Sequence, residues 1–182
     1  MHLRLEYYKS PLSPLLIVTD SDGALRALEF ADHEERMHRL LRDHYDTYEL
    51  SDGAAPKSMI KALDAYFEGE LAAVDDVRVA TGGTTFQRAV WRALRTIGAG
   101  ATSSYGELAA RIGNRQASRA VGAANGSNPI AIVVPCHRVI GANGTLTGYG
   151  GGIPRKRWLI DHERRHCVKE SAMARGRVAD AG

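Results

Sequence analysis

The sequence predicts an α+β protein of two domains, residues 1–80 and 84–166, followed by a mobile tail at 167–182. Three observations lead there. The first thirty residues alternate apolar and polar side chains at the two-residue period of strands. The later segments repeat at the period of helices, and nearly everything after residue 84 does so. Charge also changes sign: residues 1–85 hold 9 Lys and Arg against 16 Asp and Glu, whereas residues 86–182 hold 15 against 5. A chain of 182 residues, 44% hydrophobic and 25% charged, can bury a core in one large or two small domains. That composition excludes the disordered, fibrous and membrane classes.

Leu3, Leu5 and Tyr7 mark the first strand, and Leu15 to Thr19 pairs with Ala24 to Phe30 across the turn Asp20-Ser21-Asp22-Gly23. His33 to Tyr45 places Met37, Leu40, Leu41 and His44 on one helical face. Pro56, suited to a first helical position, opens a second helix presenting Ile60, Leu63 and Phe67. Both stripes read as core, and no cluster before residue 80 suggests chemistry. His2, His33, His38 and His44 have no cysteine partners, so no metal is assigned. Thr81-Gly82-Gly83 reads as a flexible link.

Beyond the link, Thr84 to Gln87 and Ser104 to Glu107 each fit a capping box. The first opens a helix with Phe86, Val90 and Leu94 in one stripe. The second opens a short helix through Ile112 that Gly113 ends in a left-handed conformation. Another helix runs from about Gln116 to Asn125, carrying Ala117, Ala120, Val121, Ala123 and Ala124. The apolar run Ile130 to Val134 reads as a buried strand ending at Pro135-Cys136-His137-Arg138-Val139, and Lys156 to His166 as a last helix.

Cys136 and Cys167, without any CxxC spacing, support neither a disulfide framework nor a cysteine-rich zinc site. A reducing compartment fits. Met1 to Ser10 contains no continuous apolar stretch, and Ile130 to Val134 is far too short to span a bilayer, so a cytoplasmic protein is expected.

A basic half implies an anionic partner, with nucleic acid first, although charge alone fits a merely soluble surface equally well. The short helices on either side of Gly113 form a helix-turn-helix pattern. Alanines and Gly122 in the second helix could serve tight helix packing, but the basic setting turns the reading toward DNA. That helix offers few groups able to tell bases apart, so it suits a minor groove into which Arg119 is pushed. Arg115, Arg119 and Arg138 are the cations expected near the groove. Cys136 beside His137 is a weak signal alone, because neighbouring side chains on extended backbone point apart.

The ordered set of motifs is stronger. Thr84 to Trp91, Ser104-Tyr105-Gly106, Ser118 to Asn128, the string Ile132 to Ile140, Gly148-Tyr149 with its glycines, and Lys156 to Glu163 span about eighty residues. In these the sequence resembles the O6-alkylguanine-DNA alkyltransferases, the methylated-DNA–protein-cysteine methyltransferases. The resemblance implies a ribonuclease-H-like α/β amino-terminal domain and a mostly helical, winged-helix-like carboxyl-terminal domain. It implies single-turnover removal of the alkyl group from O6-alkylguanine, and from O4-alkylthymine, in duplex DNA without a cofactor.

In that family the thiolate corresponding to Cys136 takes the alkyl group. The resemblance gives His137 activation of the thiol through a bridging water, Glu163 orientation of the imidazole, and Tyr105 proton delivery to guanine N3. Pro135, Val139, Tyr149, Gly150 and Gly151 line the base pocket. Many relatives carry serine where Gly150 stands, which leaves only a backbone contact here. Arg115, Ala117, Ser118, Arg119, Ala120 and Gly122 face DNA, Arg119 filling the gap left by the extruded base, and Asn128 ties this helix to the active-site loop. The turn lacks the family's usual proline, and Ser118 replaces a frequent alanine. The implied partner is duplex DNA bearing the lesion, met by a monomer able to cluster along it.

Two other classes compete. A cysteine hydrolase built on Cys136, His137 and Glu163 needs an oxyanion hole and turnover. A non-catalytic DNA-binding module has no use for the acceptor cysteine.

Overall fold

The computed structural model describes residues 1–179, with side chains as far as Cys167; residues 180–182 of the expected tail lie outside the described residues. Four strands, β1 (His2–Tyr8), β2 (Leu15–Asp20), β3 (Leu25–Phe30) and β4 (Glu49–Asp52), form one sheet in the order β3-β2-β1-β4. Neighbours are antiparallel except β4, which runs parallel to β1. All six residues of β2 are buried, because both faces of the sheet are covered. On one face Leu3, Leu5, Leu16, Val18 and Ala27 pack with Met37 and Leu41 of α1 (Glu34–His44). The other face presents Leu15, Ile17, Leu25, Leu28 and Phe30 to α2 (Lys57–Glu68), and this core continues into the carboxyl-terminal half through Trp91, Leu94, Val121, Ile132 and Leu159.

Two departures from the sequence reading matter here. β4 was missed because Glu49 to Asp52 is polar and mostly exposed, so only its pairing with β1 makes it a strand. The stripe of α2 is turned by one position: Met59, Leu63 and Tyr66 are buried, and Ile60 and Phe67 only half-buried. That rotation brings Tyr66 toward the other half.

The second half comprises α3 (Thr85–Leu94), the strand β5 (Ser103–Ser104), α4 (Tyr105–Arg111), α5 (Ser118–Gly126), the strand β6 (Val139–Ile140) and α6 (Ile153–Ala179). Both capping boxes form, with Thr84 Oγ1 accepting from the Gln87 amide at 3.1 Å and Ser104 Oγ from the Glu107 amide at 3.2 Å. Gly113 has φ 79°, as its place after α4 requires. α6 carries the chain past residue 167, where the tail was expected to begin. Among the described residues no helix is long and apolar enough to cross a membrane. The link is anchored rather than free: the Tyr45 hydroxyl donates to Ala80 O and accepts from the Gly82 amide, each at 3.1 Å.

The run Ile130 to Val134 is buried as expected, but it is not a strand. Only Ile130 bridges to β3, where the Leu28 amide donates to Pro129 O and the Ala131 amide to Leu28 O. The chain then folds back. The Val133 amide donates to Ala131 O at 2.7 Å around Ile132, whose φ of 65° makes this the rare γ-turn of positive φ. The Cys136 amide donates to Val134 O at 2.8 Å around Pro135, at φ −80° and ψ 64°, the common inverse γ-turn. The Asn128 side chain replaces a ladder, accepting from the Ile130 amide and donating to Ile130 O and Val134 O. β-branched composition reported burial correctly; side-chain hydrogen bonding decided the backbone.

Ile130 and Ile132 are both fully buried, yet only Ile132 holds a strained φ. Ile132→Gly is therefore expected to destabilise by about 1–2 kcal/mol less than Ile130→Gly, the cost of the left-handed conformation being relieved. Urea denaturation of the two variants checks the difference; equal losses count against strain at Ile132.

Candidate active site and nucleic-acid interface

Cys136 opens a single 3-10 turn, Cys136–Arg138, placed immediately after the two γ-turns. β6 follows and pairs with β5 in parallel, Ser103 opposite Val139 and Ser104 opposite Ile140. Tyr105 begins α4 directly after β5, so one short pairing sets Tyr105 beside the cysteine turn. Its half-buried side chain donates from the hydroxyl to Thr147 O at 3.4 Å, a long and weak bond.

Behind the cysteine lies a closed charge cluster. His137, Arg138 and Glu163 are 0%, 4% and 1% exposed, so their polar atoms must satisfy one another. Glu163 Oε1 meets His137 Nε2 at 2.7 Å and accepts from Arg138 Nη2 and from the Tyr66 hydroxyl, each at 2.9 Å. Oε2 accepts from Arg138 Nε and from the Gly100 amide, both at 3.0 Å. Burial alone would raise the carboxyl's pKa, but His137 and Arg138 hold it well below the usual carboxylate range. The ionised carboxylate fixes the His137 tautomer, with the proton on Nε2 and the lone pair on Nδ1. His137 Nδ1 is buried and makes no hydrogen bond with a described protein atom. Burial pushes the imidazole below its ordinary pKa, outweighing Glu163, which favours the neutral form.

The thiol is 6% exposed, and burial pushes its pKa up, opposed by the nearby Asn128 side chain and by the charges of Arg36 and Lys156. It rests as a thiol and needs a base to react. Lys156 is fully buried and donates from Nζ to Val139 O at 2.5 Å and Thr147 O at 2.6 Å, joining the cysteine turn to the glycine loop. Burial lowers its pKa to about 8. In that loop the Tyr149 hydroxyl is buried and makes no hydrogen bond with a described protein atom, and burial raises its pKa well above the ordinary value.

Gly150 and Gly151 are confined by the amino-terminal half. A Cβ on Gly151 would lie 2.5 Å from the Phe30 ring, and one on Gly150 2.6 Å from the Arg36 guanidinium. Arg36 pairs with buried Glu29 and donates to Gly126 O and Asn128 O, while Arg155 joins Gly151 O to Ser13 and Asp32. The expectation that nothing before residue 80 takes part is thus corrected: Phe30, Arg36 and Tyr66 all reach the site. A tyrosine one helical turn beyond buried Leu63 was the available signal for Tyr66; Arg36 carried none.

Cys136, His137, Glu163, Tyr105, Pro135, Val139, Tyr149, Gly150, Gly151 and Asn128 therefore gather in one region. The expected DNA face is a neighbouring surface. Arg115, Arg119 and Ala120 are exposed, and Ala117, Ser118 and Gly122 half-buried. Gly122 meets that region, since a Cβ there would lie 3.8 Å from the Tyr105 ring. Trp91 Nε1 donates to Ala124 O at 2.8 Å and fixes α5 on α3. Arg138, expected near the groove, is instead consumed inside by Glu163 and Ile97 O. Its counter-ion lies 25 residues further on, which hid the pairing. Among the described residues no three His, Cys, Asp or Glu side chains gather as metal ligands. Cys167 Sγ lies 3.3 Å from Ala99 O, against the backbone of Gly100, whose amide donates to Glu163.

Residues 3–81 match the family model described as 6-O-methylguanine DNA methyltransferase, ribonuclease-like domain, and residues 85–165 the one described as its DNA binding domain. The chain is 52% identical over 165 residues to the methylated-DNA–protein-cysteine methyltransferase of Salmonella typhimurium, covering 90% of this chain and 96% of that one. The protein of the same name from Mycobacterium tuberculosis is 54% identical over 148 residues, 79% and 89% of the two chains. The crystal structure of Mycobacterium tuberculosis OGT in complex with DNA superposes with a TM-score of 0.75 at 46% identity, covering 91% and 94%. The O6-methylguanine-DNA methyltransferase of Pyrococcus kodakaraensis gives 0.64 at 26%, over 88% and 98%. The chain belongs to the 6-O-methylguanine DNA methyltransferase family.

Proposed function

We infer that this chain repairs alkylated DNA by direct reversal, moving the alkyl group of O6-alkylguanine, and of O4-alkylthymine, irreversibly onto Cys136. The observation that carries the assignment is the 2.7 Å contact of His137 Nε2 with Glu163 in the turn that Cys136 opens. It leaves the basic Nδ1 of a neutral imidazole for the thiol proton, taken through a bridging water. The thiolate displaces O6 at the alkyl carbon, a C–S bond forms as the C–O bond breaks, and the electron pair of that bond returns to guanine. Tyr105 leaves Thr147 O and delivers a proton at guanine N3. The thiol proton goes to His137 and guanine takes its proton from Tyr105; proton exchange with solvent then discharges the imidazolium and restores the phenol, so the reaction balances without a cofactor. A thioether offers no good leaving group, hence one turnover per chain.

A base stacked in a duplex cannot reach a cysteine this buried, so the lesion is extruded, at a cost of a few kcal/mol. DNA is the partner. Residues 84–166 form the unit that meets it, with α5 in the minor groove, Arg119 filling the gap, and Arg115 on phosphate. Ala117, Ser118, Ala120 and Gly122 keep that face thin. Pro135, Val139, Tyr149, Gly150 and Gly151 enclose the base, Asn128 holds the loop to the helix, and residues 1–80 brace the loop. The chain acts as a monomer, able to cluster along DNA.

Cys136→Ser is expected to keep the fold and DNA binding and to lose alkyl transfer entirely, because a hydroxyl is too weak an acid for this base. Intact mass after incubation with O6-methylguanine DNA should show one methyl group gained and then no further change. Peptide mapping that found the methyl on Cys167 would overturn the assignment.

Arg119→Ala should slow repair of duplex DNA about tenfold or more while leaving reaction with free O6-benzylguanine nearly unchanged, since a free base needs no extrusion. Single-turnover rates on the two substrates give the ratio. Equal slowing of both would place Arg119 in folding or in the reactive site instead.

A further inference from the structure

We propose that Tyr66, from the amino-terminal half, is a positioning residue for alkyl transfer: its hydroxyl holds Glu163 in line with His137 and withdraws charge from the oxygen they share. The inference rests on the roles given above to His137 and Glu163. Tyr66 is fully buried on α2, 97 residues from Glu163 in the chain. Its hydroxyl donates at 2.9 Å to Oε1, the oxygen facing His137 Nε2.

The hydroxyl is not needed to dock the helix. His162 Nε2 on α6 lies 2.9 Å from Tyr66 O, and the rings of Tyr66 and His162 meet with centroids 5.4 Å apart, so α2 and α6 are joined through backbone and rings without the hydroxyl. Phe67 packs on Trp158 beside them. What the hydroxyl adds is a third donor residue, after His137 and Arg138, on one carboxylate oxygen. Each donor there spreads negative charge that would otherwise act on the imidazole, lowering the affinity of Nδ1 for a proton. The other charges acting on His137 are Arg138 on its own turn and Lys156 on α6, both cationic; Glu163 faces it from α6 and the Cys136 thiol precedes it in the same turn. Around Tyr66 the groups are Glu163, Arg138 and Tyr149, together with His162 at its carbonyl. Burial and Glu163 raise the phenol far above its ordinary pKa, so Tyr66 acts as donor throughout the working range.

The sign follows. With Tyr66→Phe the carboxylate binds the imidazolium more strongly and the His137 pKa rises. Neutral His137 is the active form, so the acid limb of the transfer rate moves to higher pH, by about half a unit to one unit. Below the limb the variant is about three- to tenfold slower, and above it the rates converge. The test is single-turnover methyl transfer from pH 5 to 9 by the full chain, for the wild type, Tyr66→Phe and Glu163→Gln, with nitrogen NMR titration of His137 in the unreacted Tyr66→Phe protein. An upward shift in limb and titration together supports the proposal. A rate lowered equally at every pH, or an unmoved limb, overturns it. If Glu163→Gln moves the limb and Tyr66→Phe does not, Tyr66 alone is misassigned. If Glu163→Gln matches the wild type, the reading of His137 and Glu163 falls and takes Tyr66 with it.

Discussion

The buried carboxylate of Glu163 is the constraint around which the rest is arranged. An ion taken out of water costs several kcal/mol unless close donors replace its hydration. Here four donor residues come from three separate segments: Tyr66 on α2, Gly100 before β5, and His137 and Arg138 on the cysteine turn, all converging on α6. Loss of Arg138 would strand that charge, so the packing of the two halves and the order of the reactive turn are tied to one atom group. The arrangement also separates two tasks. Arg138 neutralises the carboxylate and His137 uses it, and burial, aided by the Arg138 charge, holds the imidazole below its ordinary pKa.

The segment leading to Cys136 shows a second economy of the same kind. A regular strand at Ile130 to Val134 would continue past the sheet edge and carry the cysteine away with it. Two successive γ-turns reverse the chain instead, one of them strained at Ile132, and Asn128 supplies the hydrogen bonds that a ladder would have given. Strain of this sort persists only where surrounding structure over-determines it, and it collects at functional sites. The run is fully packed in the shared core, so burial of five apolar side chains holds the turns in place.

What was legible in the sequence follows from how far each interaction reaches. Capping boxes and the left-handed Gly113 are written within four residues, and both form as read. Helical stripes are legible to within a rotation, and in α2 one position of error separated a core Phe67 from the functional Tyr66. The cysteine, its histidine and the small-residue helix were carried by motif resemblance rather than by physics of spacing. Arg138 was misplaced toward DNA because an arginine in a basic half looks like a phosphate ligand until its distant counter-ion is known. Phe30, Arg36 and Tyr66 escaped altogether, since nothing local records which loop a side chain will meet 90 or more residues away.

Those long-range contacts also explain how an acidic half and a DNA-binding half coexist in one small protein. α5 is chemically different at its two ends. Arg115 and Arg119 stand exposed before and within its first turn, and the positive end of the helix dipole adds to them. At its far end the amino-terminal half presents a cation, Arg36, whose guanidinium donates to Gly126 O and Asn128 O and whose own charge is balanced by Glu29. The acidic half thus meets the helix at its carbonyl end through a neutralised arginine, where a carboxylate would have been repelled. The face with the free arginines is left to an anionic partner. Segregation of charge along the sequence is in this way turned into segregation of charge along a single nine-residue helix.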